Sequence, residues 1–118
     1  MPAAAFLALM LQATPAPADL SYGEVYGCHA IAKVAYEQLH AGGTSPVTDS
    51  EVALATNVAR VRDLAAAEME RARVRDGLSG DLLTGAEDAA RRGLGGATDE
   101  QLLNAFGICA TVFGVTFQ

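Results

Sequence analysis

The sequence lacks the short motifs that mark common classes of hydrolase, metalloprotease and nucleotide-binding enzyme. It contains no Gly-x-Ser-x-Gly nucleophile elbow, no His-Glu-x-x-His zinc-binding pair and no glycine-rich phosphate loop. Acidic side chains are present, but a general-acid pair needs a difference in burial that a sequence does not show. We therefore expect no catalytic residues and interpret the chain as non-catalytic, with a small envelope enzyme as the less favoured alternative.

Basic residues are also scarce. Eight Lys and Arg residues stand against fourteen Asp and Glu residues, which gives a formal net charge of −6 at pH 7. A nucleic-acid-binding surface needs a positive field that displaces counterions from the phosphates, so we exclude nucleic acid as a partner. The acidic balance permits a basic protein partner, although it is equally what keeps a small domain soluble. We expect any partner to be another protein.

No apolar run is long enough to span a bilayer, which takes about 20 residues. The run Ala3–Leu11 precedes a polar, proline-containing stretch that ends in Ala16-Pro17-Ala18. This small-x-small ending suits a signal peptidase, so we predict a signal peptide over residues 1–18 and a single helical domain over 19–118. No Lys or Arg precedes the run, and an N-terminal core helix is the alternative. The prediction places the protein in the periplasm or outside the cell, without membrane insertion of the mature chain.

Cysteines are limited to two, Cys28 and Cys109. In an exported protein the default is a disulfide, and we predict one that joins the first helix to the last. Two buried free thiols are the main alternative. A redox pair would need Cys-x-x-Cys or a cysteine at a helix N-terminus, and covalent haem attachment would need Cys-x-x-Cys-His, so we expect no cofactor. Lipidation of Cys28 is disfavoured because the apolar run lies too far upstream.

Small residues flank both cysteines. They are Gly23, Gly27 and Ala32 near Cys28, and Gly107, Ala110 and Gly114 near Cys109. Glycine inside a helix costs about 1 kcal/mol relative to alanine, so its clustering here calls for a reason. A disulfide requires Cβ atoms within about 3.5–4.5 Å, and we expect the small residues to let the two helices approach that closely.

Strand-like alternation is absent, and four helical segments are separated by glycine clusters. They span about residues 20–40, 48–76, 81–92 and 98–113. Thr48-x-x-Glu51 and Thr98-x-x-Gln101 have the form of capping boxes at the starts of the second and fourth helices. Along the second helix, apolar residues recur every three or four positions: Leu54, Val58, Val61, Ala65, Met69 and Ala72. The predicted fold class is all-α, a small antiparallel four-helix bundle with one disulfide linking the first and last helices.

A second stripe on the first helix is polar and aromatic. Its members are Tyr22, Tyr26, His29, Lys33, Tyr36 and His40, which we call the tyrosine–histidine face. Tyrosine combines contact area with a hydrogen-bonding tip, so this face is our candidate binding surface; the alternative is a flank of the bundle. The two histidines lie about 16 Å apart along the helix, so one ion cannot bind both and no metal site is expected. A pH-sensitive element near pH 6 is a further candidate role for them.

A small apolar ligand offers a different interpretation of the same bundle. The pocket for it would be lined by Val58, Val61, Leu102, Phe106 and Phe113. Because the expected core is rich in alanine and glycine, we expect tight packing, and a binding or interaction module is favoured over a carrier. An enclosed cavity of more than a few hundred Å³ would reverse that preference.

Overall fold

The computed structural model describes residues 19–40 and 48–117, and this part of the chain forms four helices and no strand. The helices are α1 (Tyr22–Leu39), α2 (Asp49–Arg75), α3 (Gly80–Gly95) and α4 (Asp99–Val112). The predicted all-α bundle is confirmed. The largest difference in bounds is at α3, which continues to Gly95 because the modest cost of glycine in a helix is outweighed by packing, as Gly93 is buried. The predicted signal peptide, residues 1–18, lies outside the described residues.

Side-chain caps define the starts of three helices. At α4 the predicted capping box is present, since Thr98 and Gln101 exchange hydrogen bonds of 3.2 and 2.9 Å between side chain and backbone. At α2 only half of the predicted box forms. The Thr48 hydroxyl accepts the Glu51 N–H, but it donates its own proton to the Glu51 carboxylate at 2.8 Å. A full box at α1, built on Ser21 and its Ser-x-x-Glu pattern, was not predicted.

Glycines in the left-handed region terminate α2 and α4. Gly77 and Gly114 have φ angles of +67° and +71°, which residues with a side chain rarely adopt. After α4 the Val115 N–H donates back to the Ala110 carbonyl at 2.9 Å, and the chain after α2 closes in the same way. Both ends are therefore Schellman motifs.

The core lies along α1, which packs against each of the other three helices. Its buried side chains from α1, α2 and α4 include Val25, Cys28, Ile31, Ala32, Val58, Val61, Ala65, Ala72, Ala105, Phe106, Cys109 and Ala110. The predicted α2 stripe is confirmed from Val58 to Ala72. Leu54 is instead 41% exposed, and Glu68 is buried with its carboxylate 2.9 Å from Arg71. Because α3 contributes only a glycine to the buried set, it forms an outer layer.

The predicted disulfide is present. Cys28 and Cys109 are bonded, their Cα atoms lie 5.7 Å apart, and neither residue is exposed. The role predicted for the neighbouring glycines is wrong in three cases, because a Cβ atom on Gly23, Gly107 or Gly114 would meet nothing within 4 Å. Close approach of α1 and α4 therefore does not depend on these three. Within residues 19–40 and 48–117, no helix combines the length and the apolar character needed to cross a membrane.

Candidate functional site

An apolar groove lies between the C-terminal half of α1 and the N-terminal half of α4, and its volume is about 780 Å³. All four helices line it, through Ala30, Ile31, Val34, Ala35, Gln38, Leu39, Leu54, Val58, Leu94, Gly95, Asp99, Leu102, Leu103 and Phe106. Apart from Gln38 and Asp99, these residues are apolar. The groove is therefore suited to binding by removal of apolar surface from water.

The position of the groove follows from the antiparallel pairing of α1 with α4. The disulfide joins the pair at Cys28 and Cys109, and the groove begins just beyond it, at Ile31 and Phe106. Helical spacing then brings residues 30–31, 34–35 and 38–39 of α1 to the groove. Residues 99, 102–103 and 106 of α4 follow the same spacing on the opposite wall. The groove is thus an open continuation of the α1–α4 interface.

Exposure differs sharply between the floor of the groove and its rim. The floor residues Ile31, Val58 and Phe106 are 8%, 2% and 9% exposed. The rim residues Val34, Leu54 and Leu103 are 51%, 41% and 70% exposed. They are three of the six large apolar side chains that stand exposed in the described part of the chain. Scattered single apolar residues are ordinary on a surface, whereas a cluster around a concave apolar floor is typical of a binding site.

The two polar side chains among the described lining residues lie at the outer end of the groove, away from the disulfide. Gln38 and Asp99 lie about two helical turns beyond Ile31 and Phe106. Asp99 stands in the first turn of α4, where the helix dipole stabilises a carboxylate, and it forms no ion pair with any described residue. Over the described ranges, no group of three or more His, Cys, Asp or Glu side chains is placed to hold a metal ion.

The groove includes part of the pocket that the sequence predicted for an apolar ligand. Val58, Leu102 and Phe106 line it, whereas Val61 is fully buried in the core and Phe113 is not part of the lining. The α1 wall and the contribution of Leu94 from α3 were not predicted. A feature of the sequence could have revealed the α1 wall. This helix has more apolar residues per turn than a single buried stripe requires.

The contacts of the tyrosine–histidine face divide it into two halves, and the N-terminal half packs on α3. Tyr22 is 5% exposed and its hydroxyl donates to Glu87 at 3.1 Å. Burial raises the pKa of Tyr22 to about 12, and the hydrogen bond to Glu87 acts in the same direction. The Tyr26 hydroxyl accepts a hydrogen bond from Arg91 at 2.8 Å. These two tyrosines therefore hold α3 against α1.

The C-terminal half of the face lies beside α2. The Tyr36 and His40 rings are 4.5 Å apart, and the Arg62 guanidinium lies 4.5 Å from the centre of the Tyr36 ring. Burial lowers the pKa of His29, and the positive charges of Lys33 and Arg62 lower it further. Lys33 is the one exposed member of the face, while the others are buried or half-buried. Its use as a partner surface stays a prediction.

A second, shallower depression borders Tyr36 on the outer side of α2. Its volume is about 680 Å³, and its lining is Tyr36, Val52, Ala55, Thr56, Ala59, Arg60, Asp63 and Leu64. Among the described residues, Tyr36 of α1 is the one lining residue that does not belong to α2, so most of the depression is formed by one helix. The groove between α1 and α4 is the better candidate site.

Comparison with known proteins adds no functional assignment. A scan against protein-family models, a search of curated proteins and a search of solved structures each returned no match for this chain.

Proposed function

We propose that this protein is an exported, non-catalytic binding module that receives an apolar part of another protein in the groove between α1 and α4. The observation that carries this proposal is the rim, where Val34, Leu54 and Leu103 stand 41–70% exposed around an apolar floor. Fully burying one Leu or Val side chain contributes about 1.5–3 kcal/mol. A partner that covers all three rim residues would gain several kcal/mol, from which the cost of association is subtracted.

The groove is favoured over the tyrosine–histidine face because its surface is not used within the described fold. Tyr22 and Tyr26 already bond to α3, and Tyr36 already packs against Arg62. A partner that used those rings would have to displace the intramolecular contacts. A partner that used the groove would displace no contact between the described residues.

Two features support export. Residues 1–18 have the pattern of a signal peptide, and the disulfide between Cys28 and Cys109 suits an oxidising compartment. For protein recovered from the envelope or medium of the producing cells, we expect an N-terminus at Asp19 and no alkylatable thiol by intact-mass analysis. A chain that begins at Met1, stays in the cytoplasm and carries two free thiols would contradict export.

An environment-sensitive dye tests the groove. We expect the oxidised chain to bind an apolar naphthalene dye, and we expect Leu103→Asp to weaken that binding at least tenfold. Leu82→Asp is the matched control, because Leu82 is as exposed as Leu103 (67% against 70%) but lies outside the groove. Equal losses in the two variants, or no dye binding by the unaltered chain, would overturn the groove as the binding site.

A carrier of small apolar molecules is the second candidate function. The groove volume falls in the range of small-ligand sites, and Val58, Leu102 and Phe106 line it as that function requires. The exposed rim argues against this function, since small-ligand sites bury most of the ligand surface. Organic extraction of the purified protein followed by mass spectrometry is the test. A lipid recovered at one molecule per chain would favour the carrier.

A further inference from the structure

We propose that the occupant of the groove is an amphipathic helix of a partner protein, with its apolar residues between Ile31 and Phe106 and a Lys or Arg beside Asp99. This inference rests on the function proposed above and adds the chemistry of the partner. It follows from the length of the groove, from its open side and from the position of its single charge.

The groove has the length and the walls of a helix-binding cleft. It follows α1 from Ala30 to Leu39, a distance of about 14 Å at the helical rise per residue. That distance accommodates two to three turns of a guest helix, which would anchor through apolar residues at i, i+3, i+4 and i+7. Because α1 and α4 form the two long walls, such a guest would extend the packing of the bundle.

The open side of the groove favours a helix over a compact apolar molecule. The rim residues Leu103 and Val34 are 70% and 51% exposed, while the floor is almost fully buried. A small molecule on the floor would leave both rim side chains in water. A helix, which is about 10 Å across, would cover the floor and the rim together.

The charge distribution of the groove favours a basic residue at one end of the bound partner helix. Among the described lining residues, those near the disulfide are apolar, and Asp99 is the one charged residue, at the opposite end. Its neighbour Glu100 also lacks an ion-pair partner within the described residues. An apolar guest would dehydrate the Asp99 carboxylate at a cost in free energy, which a Lys or Arg of the guest would offset. The net charge of −6 attracts a basic guest at longer range.

A second copy of this chain is a poorer occupant, because the exposed apolar residues outside the groove do not form a stripe. They are Val52, Val74 and Leu82. Val52 and Val74 lie about 33 Å apart along α2, and Leu82 belongs to α3. Outside the groove, no helix of the described chain therefore offers the i, i+3, i+4, i+7 apolar pattern that the groove would accept.

Two synthetic peptides of about 14 residues test the inference. Both carry Leu at i, i+3, i+4 and i+7 and are held helical by a covalent staple, since free peptides of this length are marginal helices. One carries Lys in both terminal turns, and the other carries Glu at the same positions. Titration of the full oxidised chain should show about three- to tenfold tighter binding of the Lys peptide at low salt. We expect this preference to disappear in roughly 0.5 M NaCl because the charges are screened.

Variants of the chain separate the charge from the apolar contact. Asp99→Asn should bring the two peptides to equal affinity, whereas Leu103→Asp should weaken both at least tenfold. Asp81→Asn is the matched control, because Asp81 also stands in the first turn of a helix and forms no ion pair with a described residue, but lies outside the groove. It should leave the preference for the Lys peptide unchanged.

The outcomes distinguish this inference from the proposed function. Equal binding of the two peptides by the unaltered chain would overturn the basic helix and leave the groove as a binding site. Failure of both peptides and of the dye would overturn the proposed function as well. A dimer of the unliganded chain that Leu103→Asp dissociates would identify a second copy as the occupant. Tighter peptide binding by the chain that begins at Asp19 than by the chain that begins at Met1 would identify the N-terminal apolar run as the occupant, and either result would overturn the inference.

Discussion

The two ends of the α1–α4 interface are built from the same pair of helices and differ in burial, residue size and covalent linkage. At the disulfide end, Val25, Cys28 and Cys109 have no exposure, and a covalent bond joins the helices. At the groove end, two turns away, Val34 and Leu103 are exposed beside an apolar floor. One disulfide therefore holds the two helices together at a single level and leaves the rest of their interface free to stay open.

This difference separates apolar surface that is already buried from apolar surface that is still exposed along one helix pair. Residues at the disulfide end have already buried their apolar surface, so they contribute to folding and have none left for a partner. Residues at the groove end keep that surface, so they contribute little to folding and are available for association. The disulfide compensates for the small, alanine-rich core of a domain of this size.

The largest expected effect comes from removing the disulfide. Replacing both Cys28 and Cys109 by Ser should lower the free energy of unfolding by about 2–5 kcal/mol, because the bond closes a long loop in the unfolded chain. Urea unfolding followed by circular dichroism measures the loss. If the double variant unfolds at the same urea concentration as the oxidised protein, the disulfide end is not the stabilising end.

Two valines on α1 lie at opposite ends of the α1–α4 interface. Val25 is fully buried at the disulfide end, and Val34 is 51% exposed at the groove end. We expect Val25→Ala to cost about 2 kcal/mol because it leaves a cavity, and Val34→Ala to change stability by less than about 0.5 kcal/mol. Comparable losses in urea unfolding would show that the groove end is as fully packed as the disulfide end.

A smaller effect is expected where α1 meets α3 beside the disulfide end. Tyr22→Phe removes the hydrogen bond to Glu87 and should cost about 1 kcal/mol. Glu87→Gln retains an acceptor for the hydroxyl and should cost less. Urea unfolding at pH 7 provides both values, and an equal cost for the two variants would show that the hydrogen bond is not the source of the effect.

The same tyrosine predicts a dependence on alkaline pH. Burial raises the pKa of Tyr22 to about 12, above its unfolded value of 10.0, so the folded state favours the protonated phenol. Its contribution to stability is complete below pH 10 and is lost as the pH rises toward 12. Between pH 10 and pH 12, the free energy of unfolding of Tyr22→Phe should fall less steeply than that of the unaltered protein. Parallel curves would show that the titration of Tyr22 is not the source of the pH dependence.

The smallest expected effect is at His29, next to Cys28 on the tyrosine–histidine face. Burial lowers the pKa of His29, with further lowering by Lys33 and Arg62, so the folded state favours the neutral ring. Its contribution to stability is therefore present above the unfolded value of 6.5 and is lost as the pH falls below it. Lys33→Ala should raise the pKa of His29 in a proton NMR titration. An unchanged pKa would show that Lys33 does not contribute.

Local patterns were sufficient to predict the helices and the disulfide. Thr98-x-x-Gln101 marks the start of α4 within four residues, and two cysteines in a chain that is predicted to be exported allow one pairing. The role predicted for Gly23 and Gly107 was wrong because a glycine pattern shows where a side chain is missing and does not show whether a neighbour occupies the space. The α1 wall of the groove was missed for a related reason, since an apolar position does not reveal what faces it.

The order of residues along the chain is enough to specify which side of each helix is apolar, because residues three and four apart lie side by side on a helix. The distance between the apolar sides of α1 and α4 is a property of the folded molecule, since it depends on the packing of all four helices at once. Leu54 and Val58 illustrate the division. They lie one turn apart on the same predicted stripe, yet Val58 is 2% exposed on the floor of the groove and Leu54 is 41% exposed on its rim. Both residues fit the same helical periodicity. Their exposures differ because the α2 stripe passes from the closed part of the bundle into the open part.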